Sequence, residues 1–250
     1  MVLRKTRLIG VFLMLVSLSV SAEEQSYSSG EQQNILIELY TSEGCNSCPP
    51  AEEYLNSLKQ DASLWRSYIP VAFHVNYWDY LGWRDRYADA AYGKRQSWYA
   101  KQGNLRTVYT PAFIVNGKAW RPGWINRQLP EKSDKTAGEL KVSINGQQLT
   151  ASYAAMHSAT EKLTLNIAVL GMGLVSHIKA GENKGRTAQH EFVVVGYKSL
   201  AGNNGLWSTR LPVLHNKEAK QYALAVWVSR PNDPSPLQAI GGLLSPVSKK

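Results

Sequence analysis

Residues 34–40, Asn-Ile-Leu-Ile-Glu-Leu-Tyr, form an apolar run interrupted by Glu38. A run of this length that ends in a polar Thr-Ser-Glu-Gly stretch predicts a buried strand followed by a loop over 41–44. Pro49 and Pro50 then open a segment with apolar positions at Tyr54, Leu55 and Leu58, one face of a helix. Proline is tolerated in a first turn, where the N–H groups lack intrahelical acceptors anyway. Phe73, Val75 and Tyr77 alternate, predicting a second, parallel strand, and Tyr87, Ala91, Arg95, Trp98 and Gln102 recur at helical spacing. Phe113, Ile114 and Val115 follow Thr110-Pro111 and precede Asn116-Gly117, a two-residue hairpin signal.

Beyond Pro122, the segment 128–130 and the polar run 131–138 mark a boundary, and the texture turns to β. Residues 139–144 and 147–153 flank a second hairpin dipeptide, Asn145-Gly146, and 163–170, 191–198 and 221–229 have strand length and pattern. No long amphipathic helix separates them, so the pattern predicts a small β-sandwich over 139–250 behind an α/β domain over 34–130. Residues 23–33 form an N-terminal extension.

The first 22 residues read as a leader. Arg4, Lys5 and Arg7 precede an apolar stretch over 8–20, and Val20-Ser21-Ala22 is a small-residue cleavage site. The stretch is short of the about 20 residues that span a bilayer, and no cysteine stands at the site to carry a lipid. The expected product, cut after Ala22, is soluble, periplasmic or secreted, without a membrane anchor. Cleavage removes three basic and no acidic residues, so the formal charge of +9 becomes +6. With no basic run and no nucleic-acid motif, that surplus reads as solubility and excludes a nucleic-acid partner.

Cys45 and Cys48 are the only cysteines, spaced CxxC between the first strand and the helix at Pro49. At a helix N-terminus the unpaired N–H groups and the positive dipole end favour thiolate, so Cys45 is expected to be acidified and Cys48 shielded. In an oxidising compartment such a pair persists as a disulfide and exchanges as a redox dithiol.

Strand, CxxC, helix and a Thr-Pro strand in a hairpin, in that order, resemble the thioredoxin fold. The resemblance implies a cis peptide bond at Pro111, a substrate peptide paired against Thr110, and proton exchange between Glu38 and the resolving Cys48. From the residues alone, Glu38 could equally face solvent or pair with a lysine. The segments ELYTSEGCNSCPPAE, HVNYWDYLGWRDRYA, VYTPAFIVNG and GENKGRT together resemble a secreted family known as domain of unknown function 1223. That resemblance implies a thioredoxin-like N-terminal half, a β-rich C-terminal half and a dithiol, and names no substrate.

Six of the eight tryptophans, Trp65, Trp78, Trp83, Trp98, Trp120 and Trp124, crowd the first half. Residues 78–84 leave the second strand at its C-terminal end, where open α/β sheets bind ligands. Trp78 and Trp83 are therefore expected to border the CxxC and to line a groove for an unfolded peptide or a sugar face, although core packing is the commoner role of any single ring. His74 either approaches the dithiol, completing a Cys-Cys-His metal site, or is an interior histidine with its partners satisfied; the second is favoured. His190 opens the strand over 191–198, and His157, His177 and His215 show no partner pattern. The glycine-rich 181–187 lacks phosphate-loop spacing. It is a turn, or a loop that docks near the dithiol with Arg186 paired to a carboxylate.

Three functions compete. In the favoured one, a thiol–disulfide oxidoreductase acts on substrate proteins or peptides, with Cys45 attacking, Cys48 resolving, Glu38 shuttling a proton and Thr110-Pro111 holding the peptide, together with an electron-transfer partner. It needs no cofactor and no metal. The alternatives are a copper-binding or copper-delivery protein, since Cu(I) accepts two thiolates, and a non-catalytic secreted binding protein with a structural disulfide.

Overall fold

The computed structural model describes residues 24–122, 129–131, 134–154, 162–202 and 204–245. The leader expected over 1–22, Trp124, His157 and part of the expected boundary lie outside them.

The described residues form fourteen strands and two α-helices. The first half contributes β1 (Gln25–Ser28), β2 (Ile35–Thr41), α1 (Pro49–Ser57), β3 (Tyr68–His74), α2 (Ala90–Lys101), β4 (Ala112–Val115) and β5 (Lys118–Trp120). The second contributes β6 (Glu139–Asn145), β7 (Gln148–Ala154), β8 (Leu163–Met172), β9 (Leu174–His177), β10 (Thr187–His190), β11 (Val193–Gly202), β12 (Leu206–Arg210), β13 (Gln221–Arg230) and β14 (Asp233–Leu243).

These strands overturn the expectation of an α/β thioredoxin-like domain followed by a separate β-sandwich. One eight-stranded sheet runs through both halves in the order β14-β13-β8-β11-β3-β2-β4-β5. Its seam is the parallel pairing of β3 with β11, where Val193 lies opposite Ala72 and the Ala72 N–H donates to the Phe192 carbonyl at 2.8 Å. In a detached N-terminal domain that edge of β3 would leave N–H and C=O groups unpaired. The exchange is reciprocal: β1 pairs with β6, and the four-stranded sheet β1-β6-β7-β12 covers the C-terminal part of the large sheet.

Burial follows from this arrangement. Along β8, Ala168, Leu170 and Met172 enter one core while Leu165, Ile167 and Val169 enter the other. The same division holds along β13, with Ala223, Ala225 and Trp227 against Leu224, Val226 and Val228. Apolar runs buried on both faces belong to interior strands of a large sheet, whereas strands of an isolated sandwich alternate. Sheet-on-sheet packing does occur, but one of the two sheets is shared with the first half.

Several local elements stand where the hydrophobic pattern put them. β2 is parallel to β3, α1 starts at Pro49, and Asn116-Gly117 turns the β4–β5 hairpin with φ of 44° and 85°. Two are shifted. β3 ends at His74, leaving Val75 and Tyr77 in the following loop. α2 buries Tyr92, Arg95, Gln96 and Tyr99, a face rotated from the expected one, and Asp89 caps it by accepting from the Ala91 N–H at 2.7 Å.

Candidate functional site

β2 delivers the chain into the loop of residues 42–47, and α1 takes it up again at Pro49. Cys48 is the N-cap residue, and the Ala51 and Glu52 N–H groups donate to its carbonyl at 3.0 and 3.1 Å. Cys45 and Cys48 form a disulfide, 3 % and 0 % exposed, and Asn46 and Ser47 between them are open to solvent. Ser47 Oγ stands 3.4 Å from Cys45 Sγ.

The Thr110-Pro111 peptide bond is cis. A groove of about 400 Å³ runs past it, lined by Ser47, Tyr54, Thr110, Pro111, Phe113 and Trp120. Trp78 supports this wall without lining the groove, its indole N–H donating to Thr110 Oγ1 at 2.6 Å.

On the other side of the CxxC loop lies a buried cluster of two imidazoles and three carboxylates. Asp85 accepts from the Glu43 and Tyr87 N–H groups, both at 2.9 Å, and lies 2.7 Å from His74 Nδ1. Glu43 lies 3.1 Å from His190 Nε2 and accepts from the Trp83 indole N–H at 2.6 Å. Glu52, one turn into α1, accepts from Thr41 Oγ1 at 2.5 Å and stands 3.2 Å from His190 Nδ1. Burial pulls His190 down, but Glu43 and Glu52 outweigh it and push its pKa up to about 10. His74 is raised in the same way, Asp85 outweighing burial. For Asp85, Glu43 and Glu52 burial acts upward, yet the facing histidines and other donors hold all three below their usual values.

The two histidine rings meet edge to face at 5.1 Å. Among the described residues, His74 Nε2 has no hydrogen-bond partner, and His190 Nδ1 faces Glu52 as an ion pair at 3.2 Å without hydrogen-bond geometry. Glu52, His74 and His190 each offer one ligating atom within 4.8 Å of the others, so this trio is the one able to share an ion among the described residues. A cavity of about 350 Å³ opens over the cluster, bordered by Glu43, Glu52, Asn183, Arg186 and His190.

The model of a family described as protein of unknown function (DUF1223) matches residues 36–229, well over half of the chain. The chain belongs to that family. No functionally curated protein matches the sequence. The crystal structure of protein AGR_C_4864 from Agrobacterium tumefaciens superposes with a TM-score of 0.60 at 21% identity, covering 88% of this chain and 97% of that one. HBP35 of Porphyromonas gingivalis superposes at 0.57 and 16% identity, over 88% of this chain and 78% of that one. The likeness is one of fold, and because it covers 88% of the chain it takes in strands of both halves.

Within this DUF1223 chain, Ser47 of the CxxC, Thr110 and Pro111 line one groove, and Trp78 buttresses it. Glu38 is elsewhere. Alternation along β2 puts Thr41 on the α1 side, where it reaches Glu52, and Glu38 on the opposite, α2 side. There Arg95 clamps its carboxylate from Nε and Nη2 at 3.0 and 2.8 Å, and Tyr40 and Tyr99 donate at 2.7 and 2.6 Å. Every strong site on that carboxylate is occupied, the surroundings of a structural anchor, and it faces α2 instead of the α1 side of the sheet. Trp83 is likewise displaced from the groove to the cluster, where it caps Glu43 beneath the 181–187 loop.

That loop does dock at the dithiol. Asn183 Nδ2 donates to the carbonyls of Glu43 and Cys45 at 2.8 and 2.9 Å. Arg186 reaches Glu53 at 3.7 Å, with both side chains largely exposed. Sequence reasoning missed Glu43, Glu52 and Asp85 as site residues and treated His190 as the start of a strand. One signal was available: Glu52 follows Cys48 by four residues, which places it one turn further along the same helix face.

Proposed function

We propose that this protein is a thiol–disulfide oxidoreductase whose Cys45–Cys48 pair exchanges with cysteines of extended peptide or protein substrates. The observation that carries the proposal is the aromatic groove of Thr110, Pro111, Tyr54 and Trp120, which reaches Ser47 inside the CxxC whose disulfide stands at the N-terminus of α1. Extended peptides present apolar side chains and free backbone groups, and a groove of this composition suits both.

In the oxidising direction, a substrate thiolate attacks Cys45 Sγ, forming a mixed disulfide and releasing Cys48 as thiolate. A second substrate thiolate then attacks the substrate sulfur of that bond, yielding the substrate disulfide and reduced Cys45. Two electrons pass to the protein, and a partner thiol–disulfide couple removes them. Helix N–H groups near Cys48 favour the thiolate that must leave. The opposite direction uses the same steps in reverse. Export by the leader read over 1–22 would supply the compartment in which the oxidised form persists.

The test is a titration of the purified protein against glutathione redox buffers, trapping free thiols by alkylation. A reversible midpoint above about −300 mV, with a mixed disulfide that accumulates in Cys48→Ser and is absent from Cys45→Ser, supports the assignment. A bond that stays oxidised throughout makes it structural and rejects exchange.

A further inference from the structure

We propose that Glu52, His74 and His190 form a binding site for one divalent first-row transition-metal ion of the zinc(II) type, separate from the cysteines. The proposal stands independently of the redox reading.

Two imidazole nitrogens and one carboxylate oxygen are a common donor set for such ions. Their disposition is the second point. Ligand atoms about 2.0–2.1 Å from a tetrahedral zinc stand about 3.3 Å apart. The His190 Nδ1 to Glu52 Oε2 edge is already 3.2 Å, and the remaining separations lie within 4.8 Å. A small inward movement of the His74 ring completes the triangle.

The third point is the outer layer. A ligating histidine ordinarily has its second nitrogen held by a carboxylate, which fixes the ring and raises its basicity as a ligand. Both histidines have this arrangement: Asp85 holds His74 Nδ1 and Glu43 holds His190 Nε2. Those carboxylates are themselves tied down, Asp85 by two backbone N–H groups and Glu43 by the Trp83 indole. Of the nitrogens left over, His190 Nδ1 faces Glu52 at 3.2 Å and, among the described residues, His74 Nε2 faces no partner. His74 is 1 % exposed and its Nε2 has no hydrogen-bond partner among the described residues, a costly state for a buried polar atom unless something else occupies the site.

Glu52 and His190 also line the cavity of about 350 Å³. With two of the three protein ligands bordering an accessible cavity, a fourth position is left for water or an exogenous donor, the pattern of reactive and exchangeable metal sites rather than closed structural ones.

The experiment uses the untagged full chain, stripped with chelator and kept oxidised, and titrates it with zinc(II) by calorimetry and with cobalt(II) by absorption. One equivalent should bind both wild type and the Cys45→Ser/Cys48→Ser double variant with the same affinity. The cobalt spectrum should show d–d bands of a four- or five-coordinate ion without thiolate charge transfer. His190→Gln and Glu52→Gln should each weaken binding at least about 10-fold. Absence of stoichiometric binding to folded wild type, a six-coordinate cobalt spectrum like that of the aqueous ion, or loss of binding in the double cysteine variant would each overturn the proposal. The wild-type cobalt spectrum decides even if a histidine variant fails to fold.

Discussion

Asn183 holds Cys45 in place from a distant part of the chain: its side-chain amide donates to the Cys45 carbonyl at 2.9 Å and to the Glu43 carbonyl at 2.8 Å. The loop between β9 and β10 thus supplies two donors to the loop that carries the disulfide. Asn183→Ala leaves two buried carbonyls short of a donor and should cost roughly 1–3 kcal/mol. Asn183→Asp, which replaces the donor with an acceptor, should cost more. Urea unfolding checks the order, and reduction of the disulfide by dithiothreitol in native buffer should be faster in both variants.

Glu38 and Arg95 form a buried pair, with side chains 1 % and 4 % exposed. Removing one partner strands the other charge, so Glu38→Gln should destabilise by about 3–5 kcal/mol. Because Glu38 faces α2 and not α1, exchange of the dithiol with glutathione should stay within about twofold of wild type in whatever fraction remains folded. Stopped-flow exchange kinetics on that fraction, with full stability and slow exchange as the contrary result, would restore Glu38 as the proton shuttle.

Trp120 lines the groove and packs on Tyr54 and Phe113 at 5.9 and 5.6 Å between ring centroids. Trp120→Ala should raise KM for a peptide disulfide several-fold while leaving the rate with glutathione, which is too small to fill the groove, unchanged. An equal loss with both substrates would show that the groove does not recognise peptide.

In metal-free protein the buried cluster gives stability a defined pH dependence. The contribution of His190 is complete below its ordinary value near 6.5 and is lost as pH rises toward about 10; His74, raised by Asp85, acts in the same direction. Glu43, Glu52 and Asp85 are held below 4.5, 4.5 and 3.8, so their contribution is present above those values and is lost as pH falls through the lowered ones. Unfolding free energy should therefore decline on the alkaline side from about pH 6.5, by at most about 1.4 kcal/mol per pH unit for each proton involved. His190→Gln should flatten that arm, as measured by urea unfolding in chelator from pH 5 to 10.

What the sequence disclosed was local. The CxxC, the proline-opened helix, the Thr110-Pro111 strand and the Asn116-Gly117 hairpin each depend on a few adjacent residues, and each is where the pattern placed it. The pairing of β3 with β11 joins residues 72 and 193, and no periodicity records a contact of that range. For the same reason the buried cluster, drawn from α1, β3, β10 and the loops after β2 and β3, does not show in the pattern: none of its three acids stands out, His74 reads as an interior histidine with its partners satisfied, and His190 as the opening of a strand. α2 is mis-phased because its buried face, which shares Arg95 with the expected one, includes Gln96, which a hydrophobicity pattern counts as solvent-facing although the Tyr109 carbonyl receives it inside.

The shared sheet also sets the order in which the molecule can be finished during synthesis. Chains grow from the N-terminus, so the cysteines emerge long before the strand that closes β3 and before the residues that brace the cysteine loop and complete the cluster. A nascent chain stopped at 130 would carry the CxxC but neither Asn183 nor His190, with one edge of β3 bare. With only two cysteines in the sequence, that early exposure offers no wrong partner within the chain. The hazard during this interval lies in other molecules, as a stray thiol or a second unfinished copy pairing along the open strand.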